Sequence, residues 1–252
     1  MKLGRRLKKK MQIEGIIFDF GGTIDTGGIH WFHKFLQIYD KFDLKIDEIK
    51  FRDVYIYGER NLDRNSITKD TSFYDVWKMK IAGQLDYIGK EGITDIKSSD
   101  KMIKALADNC YEEVQSSIEN KKELISKLSG KYQTAMVSNF YGNIEKVLGE
   151  FGMDSLLRTV MDSAVSGIRK PEPQRVREAL KEMGLSPEST VVTGDSYDKD
   201  IAPAKSIGCN TIWLDVKGWK KPEDDYMADT IINDFNSLID EIDKMNKYEF
   251  LR

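Results

Sequence analysis

Apolar residues recur along this chain in short unbroken runs, separated by longer stretches with helical spacing. The first run, Ile13–Phe20 (IEGIIFDF), stops at Gly21-Gly22. A run of that length closed by glycines predicts a strand buried on both faces that empties into a loop. Comparable runs at Thr134–Val137, Thr190–Thr193, Thr211–Leu214 and Thr230–Ile232 predict four more strands. Helical stretches lie between most of them, such as Pro173–Met183 closed by Gly184 and Asp200–Ile207 closed by Gly208. This alternation predicts right-handed βαβ units, hence a parallel sheet with helices on both faces.

One region breaks the alternation. Residues 26–118 show no strand signal, but helical patterns cover Trp31–Tyr39, Phe73–Ile88 and Asp100–Val114. In the last of these, Ile103, Leu106, Ala107, Cys110 and Val114 form one stripe. An insert directly after the first strand sits over the carboxyl ends of the sheet, where open α/β folds bind ligands. The expected class is therefore α/β, a doubly wound parallel sheet with an inserted α-helical cap. Residues 13–25 and 119–252 are the expected core, 26–118 the cap and 1–12 a basic tail. Asn120–Leu128 is expected as the helix leading back into the second core strand.

Composition narrows the function classes. With 40% apolar and 32% charged residues among 252, the chain can build a core under a soluble surface. No apolar run approaches the roughly 20 residues of a membrane helix. Six cations (Lys2, Arg5, Arg6, Lys8, Lys9, Lys10) fall in the first ten residues. The net charge is −3, so the other 242 residues carry −9, which argues against nucleic acid as a main partner. The basic start lacks the apolar stretch of a signal peptide, and Met11 is an alternative start. The two cysteines, Cys110 and Cys209, make neither a disulfide framework nor a metal cluster, and a cytoplasmic location is expected.

Four loops carry polar residues at strand carboxyl ends. They are Asp19-Phe20-Gly21-Gly22-Thr23, Ser138-Asn139, Lys170-Pro171, and Gly194-Asp195-Ser196-Tyr197-Asp198-Lys199-Asp200. Each alone has an ordinary explanation as a turn former, a helix cap or a solvated charge. Four of them in this order along one sheet edge do not.

With these residues the chain resembles the haloacid dehalogenase superfamily, in its phosphatase-containing branch with a helical cap and a Rossmann-like core. The motifs are FDFGGT, the strand-terminal Ser138, Lys170-Pro171, and GDSYDKD followed by IAPAKSIG. The resemblance implies that Asp19 is a nucleophile forming an aspartyl phosphate. It implies that Asp19, the Gly21 carbonyl, Asp195 and Asp200 hold Mg²⁺. Ser138 and Lys170 would bind the phosphoryl oxygens, helped by backbone N–H groups of Phe20, Gly21 and Asn139, while Thr23 orders the loop. The acids of the fourth loop, and Gly21 where dehalogenases carry tyrosine, favour phosphoryl transfer over carbon–halogen cleavage. The implied substrate is a small soluble phosphorylated metabolite, because a closing cap excludes macromolecules.

The chain departs from the family pattern at Gly21, where most such phosphatases have a second Asp that serves as acid and base. Asp25, His30, His33 and Asp198 are the candidate substitutes. Alternatively the substrate has a good leaving group, or the protein is a weakened relative that binds phosphorylated metabolites. A phosphonoacetaldehyde hydrolase-like enzyme would instead use a cap lysine as a Schiff base, and Lys45, Lys50 and Lys69 are cap lysines. Trp31, Phe35 and Tyr39, with Phe32 beside them, form an aromatic face that either walls the site or packs the cap. Arg52, Tyr55, Tyr57 and Arg60 are candidates to reach a leaving group.

Overall fold

A computed structural model of the chain describes residues 12–95, 98–219 and 227–247, so the basic cluster expected as a tail lies outside the described residues. The elements, in order, begin with strand β1 (Gly15–Phe18) and helices α1 (Trp31–Lys41), α2 (Glu48–Arg60), α3 (Phe73–Lys90) and α4 (Asp100–Ser129). There follow β2 (Gln133–Ser138), α5 (Ile144–Glu150), β3 (Thr159–Asp162), the single turn α6 (Ser163–Ser166), α7 (Gln174–Met183) and β4 (Thr190–Gly194). The last are α8 (Ala202–Ser206), β5 (Asn210–Leu214), β6 (Thr230–Ile232) and α9 (Leu238–Lys247).

The six strands form one parallel sheet in the order β3-β2-β1-β4-β5-β6. β1 lies between β2 and β4, with Ile17 opposite Ala135 on one side and Val192 on the other. The chain winds outward from β1 to β3, then crosses back to β4, so the switch point falls at β1.

The period of two explains why the strands read as unbroken apolar runs. Ile16 and Phe18 point to one face, with Met136 and Val191, under the carboxyl half of α4, α5 and α9. Ile17 points to the other face, with Ala135, Val137 and Val192, under α7. Both faces are covered, so no position along these strands calls for a polar residue.

Three features differ from the sequence expectation. β3 is a strand the apolar pattern does not reveal, because TVMD is short and its first two residues are only half-buried at the sheet edge. The first strand covers four residues, not eight. The helices expected at Asp100–Val114 and Asn120–Leu128 are one 30-residue helix, α4, which runs unbroken through the expected cap–core boundary at residue 119. Its buried stripe continues from Leu106 through Ile118 to Leu128 without a glycine or proline to stop it. The described residues of 26–118 contain no strand.

Both cysteines are buried, and burial pushes the thiols up, Cys209 to about 12. Ellman's reagent is therefore expected to leave both thiols unmodified in the folded protein and to titrate both within minutes in 8 M urea. Rapid labelling of the native protein would show that the packing around them is looser than described.

Candidate active site

The sheet brings the four polar loops to one edge. Asp19 directly follows β1, Ser138 ends β2, and Asp195 follows β4. Asp200 lies in a π-helical turn, Tyr197–Ile201, that delivers the chain into α8. A wide turn of this kind is frequent at functional sites.

Asp19, Asp195 and Asp200 are all buried, and one carboxylate oxygen from each lies within 4.8 Å of the others. Lys170, itself buried, places Nζ 2.6 Å from Asp19 Oδ1 and 2.6 Å from Asp200 Oδ1. One ammonium thus faces three acids. Burial and the neighbouring acids push Asp195 well above the ordinary carboxylate range, and Asp200 rises to about 6 despite Lys170. Lys170 moves upward, the two carboxylates outweighing its burial.

Close packing holds the acids in place. Asp19 N–H donates to the Thr193 carbonyl at 3.0 Å, continuing the ladder past the end of β1. The Thr23 hydroxyl accepts Asp195 N–H at 3.0 Å and lies within donating distance of both Asp19 Oδ2 and Asp195 Oδ1. Gly22 has φ +93, and a Cβ there would meet the Asp195 carboxylate at 2.6 Å. Glycine is therefore required twice over, for the left-handed backbone and for the approach. Gly21 is the opposite case: it is exposed, and a Cβ there would have nothing within 4 Å.

Asn139 has a role the sequence did not suggest. Its side chain accepts the Lys170 N–H at 2.8 Å and donates to the Lys170 carbonyl at 3.0 Å. The loop after β2 thereby braces the backbone that carries the lysine.

A cavity of about 180 Å³ opens over these groups, and Asp19, Gly21, Ser138, Asn139, Lys170, Asp195 and Asp200 all line it. Phe20, adjacent to Asp19, turns its ring into the core against Phe73 and Phe140. Of the four candidate substitutes for an acid at position 21, Asp25 and His30 line the cavity. Asp25 accepts the Gly22 N–H and the Trp31 indole N–H, each at 2.6 Å, so both its oxygens are engaged. Burial pushes it up to about 7. His30 caps α1 by accepting the Phe32 N–H, and burial, aided by the Lys199 charge, lowers it to about 3. His33 and Asp198 do not line this cavity. His33 Nε2 lies 3.2 Å from the Gly218 carbonyl, and Asp198 is exposed on a neighbouring cleft.

The roof comes from the insert. Trp31 lines the cavity and packs against Trp77 with ring centroids 4.0 Å apart, whereas Phe35 and Tyr39 are fully buried in packing. Tyr55 reaches the cavity; Arg52, Tyr57 and Arg60 do not. Lys45, Lys50 and Lys69 lie elsewhere, and the cap lysine that lines the cavity is Lys80. It pairs with Glu59 at 2.8 Å, and Tyr141 donates to Glu59 at 3.1 Å. Glu59 and Lys80 were not singled out in the sequence. They stand one per helix on α2 and α3, and nothing in either helix's own periodicity reveals that they meet.

The family follows from a direct comparison: a family model for haloacid dehalogenase-like hydrolases matches residues 13–208. The chain belongs to this family. Among curated relatives of this haloacid dehalogenase-like chain, the glyceraldehyde 3-phosphate phosphatase of Methanocaldococcus jannaschii is 36% identical over 103 residues, 41% of this chain and 45% of that one. The phosphoserine phosphatase of Thermus thermophilus is 30% identical over 94 residues, 37% of each chain. The chain thus spans less than half the length of either relative. Among solved structures, YfnB of Bacillus subtilis superposes with a TM-score of 0.58 at 17% identity, covering 92% of this chain and 99% of that one. A HAD phosphatase from Thermococcus onnurineus gives 0.51 at 21% identity, covering 91% and 98%. At these identities the likeness is one of fold. No helix among the described residues is long and apolar enough to cross a membrane.

His30 supplies a pH test of this haloacid dehalogenase-like site. The unfolded chain takes up the proton near 6.5 and the folded chain near 3, so stability due to neutral His30 falls as pH drops from about 6.5. Asp25, raised to about 7, slopes the other way, so the comparison must be with a variant. His30→Asn keeps a capping side chain. It should gain about 2 kcal/mol relative to the parent between pH 7 and pH 5, read from urea melts at both pH values. A gap that does not change with pH would mean His30 is not held neutral.

Proposed function

We propose that this chain hydrolyses phosphate monoesters of small metabolites, passing the phosphoryl group first to Asp19 and then to water. The observation that carries the reading is the triad of buried acids at the switch point with Lys170 bridging Asp19 and Asp200. The two phosphatases among the relatives support the same reaction class.

An oxygen-only, net negative donor set fits Mg²⁺ better than a softer transition metal. Asp19, Asp195, Asp200 and the Gly21 carbonyl are the residues that would hold it, and the Bacillus subtilis structure was determined bound to magnesium. When bound, the ion offsets charge between the anionic nucleophile and the anionic phosphate. Lys170 holds Asp19 and contributes positive charge beside the phosphoryl oxygens, and Ser138 donates to one of them. Asp19 attacks phosphorus, the bond to the leaving oxygen breaks, and that oxygen takes up a proton. Water then attacks the aspartyl phosphate, loses a proton, and releases inorganic phosphate with Asp19 restored.

Gly21 supplies no proton for either step. Asp25 has both oxygens occupied, and His30 is held as a neutral cap. The reading is therefore a phosphatase that is slow on alkyl phosphates and faster on substrates with good leaving groups. An imine mechanism at Lys80 is disfavoured because its amine is engaged by Glu59, whereas that chemistry needs it free.

The open space at Gly21 provides the test. Gly21→Asp should raise steady-state hydrolysis of alkyl phosphates by at least tenfold, within the roughly 10²–10⁴ that positioned acid–base groups contribute. Asp19→Asn should abolish both turnover and the quench-flow burst. A protein with no burst and no turnover on p-nitrophenyl phosphate or acetyl phosphate would instead be a binding protein on this scaffold.

Removing one of the crowded acids separates the metal from the fold. Asp195→Asn should raise the melting temperature of the metal-free protein, because it relieves buried like-charge repulsion. It should also erase the rise that Mg²⁺ gives the parent. A variant that melts lower and still responds to Mg²⁺ would remove Asp195 from the metal site.

A further inference from the structure

The cavity has two poles of different charge. At the floor, the three acids, Lys170 and a divalent ion together sum to zero, leaving that pole matched to one phosphoryl group. At the cap end, Glu59 and Lys80 neutralise one another, with the Lys80 ammonium also over the Trp77 and Tyr141 rings, 4.8 Å from each. Two further cations line the cavity. Arg64 sits on the 3₁₀ turn after α2 with its guanidinium 5.6 Å from the Tyr141 ring, and Arg169 directly precedes Lys170. Both line the cavity together with Tyr141, and both charges act on its hydroxyl. Neither has an ion-pair partner among the described residues.

A third group points the same way. Trp77 lines the cavity, is buried, and its indole N–H has no acceptor among the described residues. A buried donor without a partner is costly. The surplus at the cap end is thus one of donors and positive charge.

We propose that the part of the substrate that leaves carries a second anionic group, a carboxylate, received by Arg64 and Arg169. Guanidinium groups bind planar carboxylates through paired hydrogen bonds. The inference rests on the phosphatase reading only in taking the floor as the phosphoryl end.

Non-hydrolysable probes test it independently of turnover. Calorimetry with Mg²⁺ would compare 3-phosphonopropionate with propylphosphonate, which differ by the carboxylate, and with propane-1,3-diphosphonate as the second-phosphate arm. The carboxylated probe should bind about tenfold or more tightly than propylphosphonate. In R64A/R169A that ratio should fall below about threefold. Equal affinities in the parent, a ratio that survives in the double variant, or no binding of either probe would each overturn the proposal. Tighter binding of the diphosphonate than of the carboxylated probe would overturn the choice of carboxylate. Loss of p-nitrophenyl phosphate turnover alone would count against the phosphatase reading and leave this ratio intact.

Discussion

Three carboxylates buried within a few ångströms of one another, with a single lysine between them, are the constraint around which this molecule is arranged. Removing like charges from water is costly, and one ammonium compensates only part of that cost. The surrounding structure supplies the remainder in small increments. Thr23 links the loop of Asp19 to that of Asp195, the Ser196 N–H donates to Asp200 at 3.1 Å, and Asn139 fixes the lysine's backbone from a third loop. Glycines stand where a side chain would collide with these acids, Gly22 against Asp195 and Gly194 against Asp200. The floor of the cavity is thus held rigid before any ligand arrives, which electrostatic catalysis requires.

Against that rigid floor, the insert provides a roof of different character. Its inner surface is aromatic where it packs and both aromatic and charged where it faces the cavity. Trp31 belongs to both: it packs against Trp77 while its indole N–H holds Asp25. The same hydrogen bond ties the entry to the cap to the loop that follows the nucleophile position. Tyr141 does the reverse, reaching from a core loop to Glu59 on the cap.

The sheet was largely legible in the sequence because burial on both faces leaves a signal that does not depend on partners. The edge of the site was legible for a related reason, since Asp19, Ser138 and Asp195 sit at or directly after the end of a strand, whereas Lys170 and Asp200 were singled out by their motifs. β3 escaped because an edge strand with half-buried residues makes no apolar run. Asp25 and His30 were found by proximity in sequence, but that could not tell a free acid from one bonded to Gly22 and Trp31, or a free imidazole from a helix cap. The cap's aromatic contribution was partly legible, through Trp31 and Tyr55, but its charged one was not. Glu59, Arg64 and Lys80 come from different elements, and only their packing decides which side chains share the cavity.

The unbroken course of α4 has a mechanical consequence. At 1.5 Å per residue it is a rod about 45 Å long, with one half packed in the insert and the other on the sheet. The other crossing, through Gly27 and Gly28, has positive φ at both glycines and is pinned by a short bridge from Ile29 to Lys217. The two connections therefore differ in stiffness, one a beam and the other a folded ribbon. Torque on the roof is carried along the beam to the start of β2, while the ribbon yields. A beam on one side and a folded ribbon on the other favour a hinge-like relation between insert and sheet, with its fixed end at Gln133, the strand's length away from Ser138.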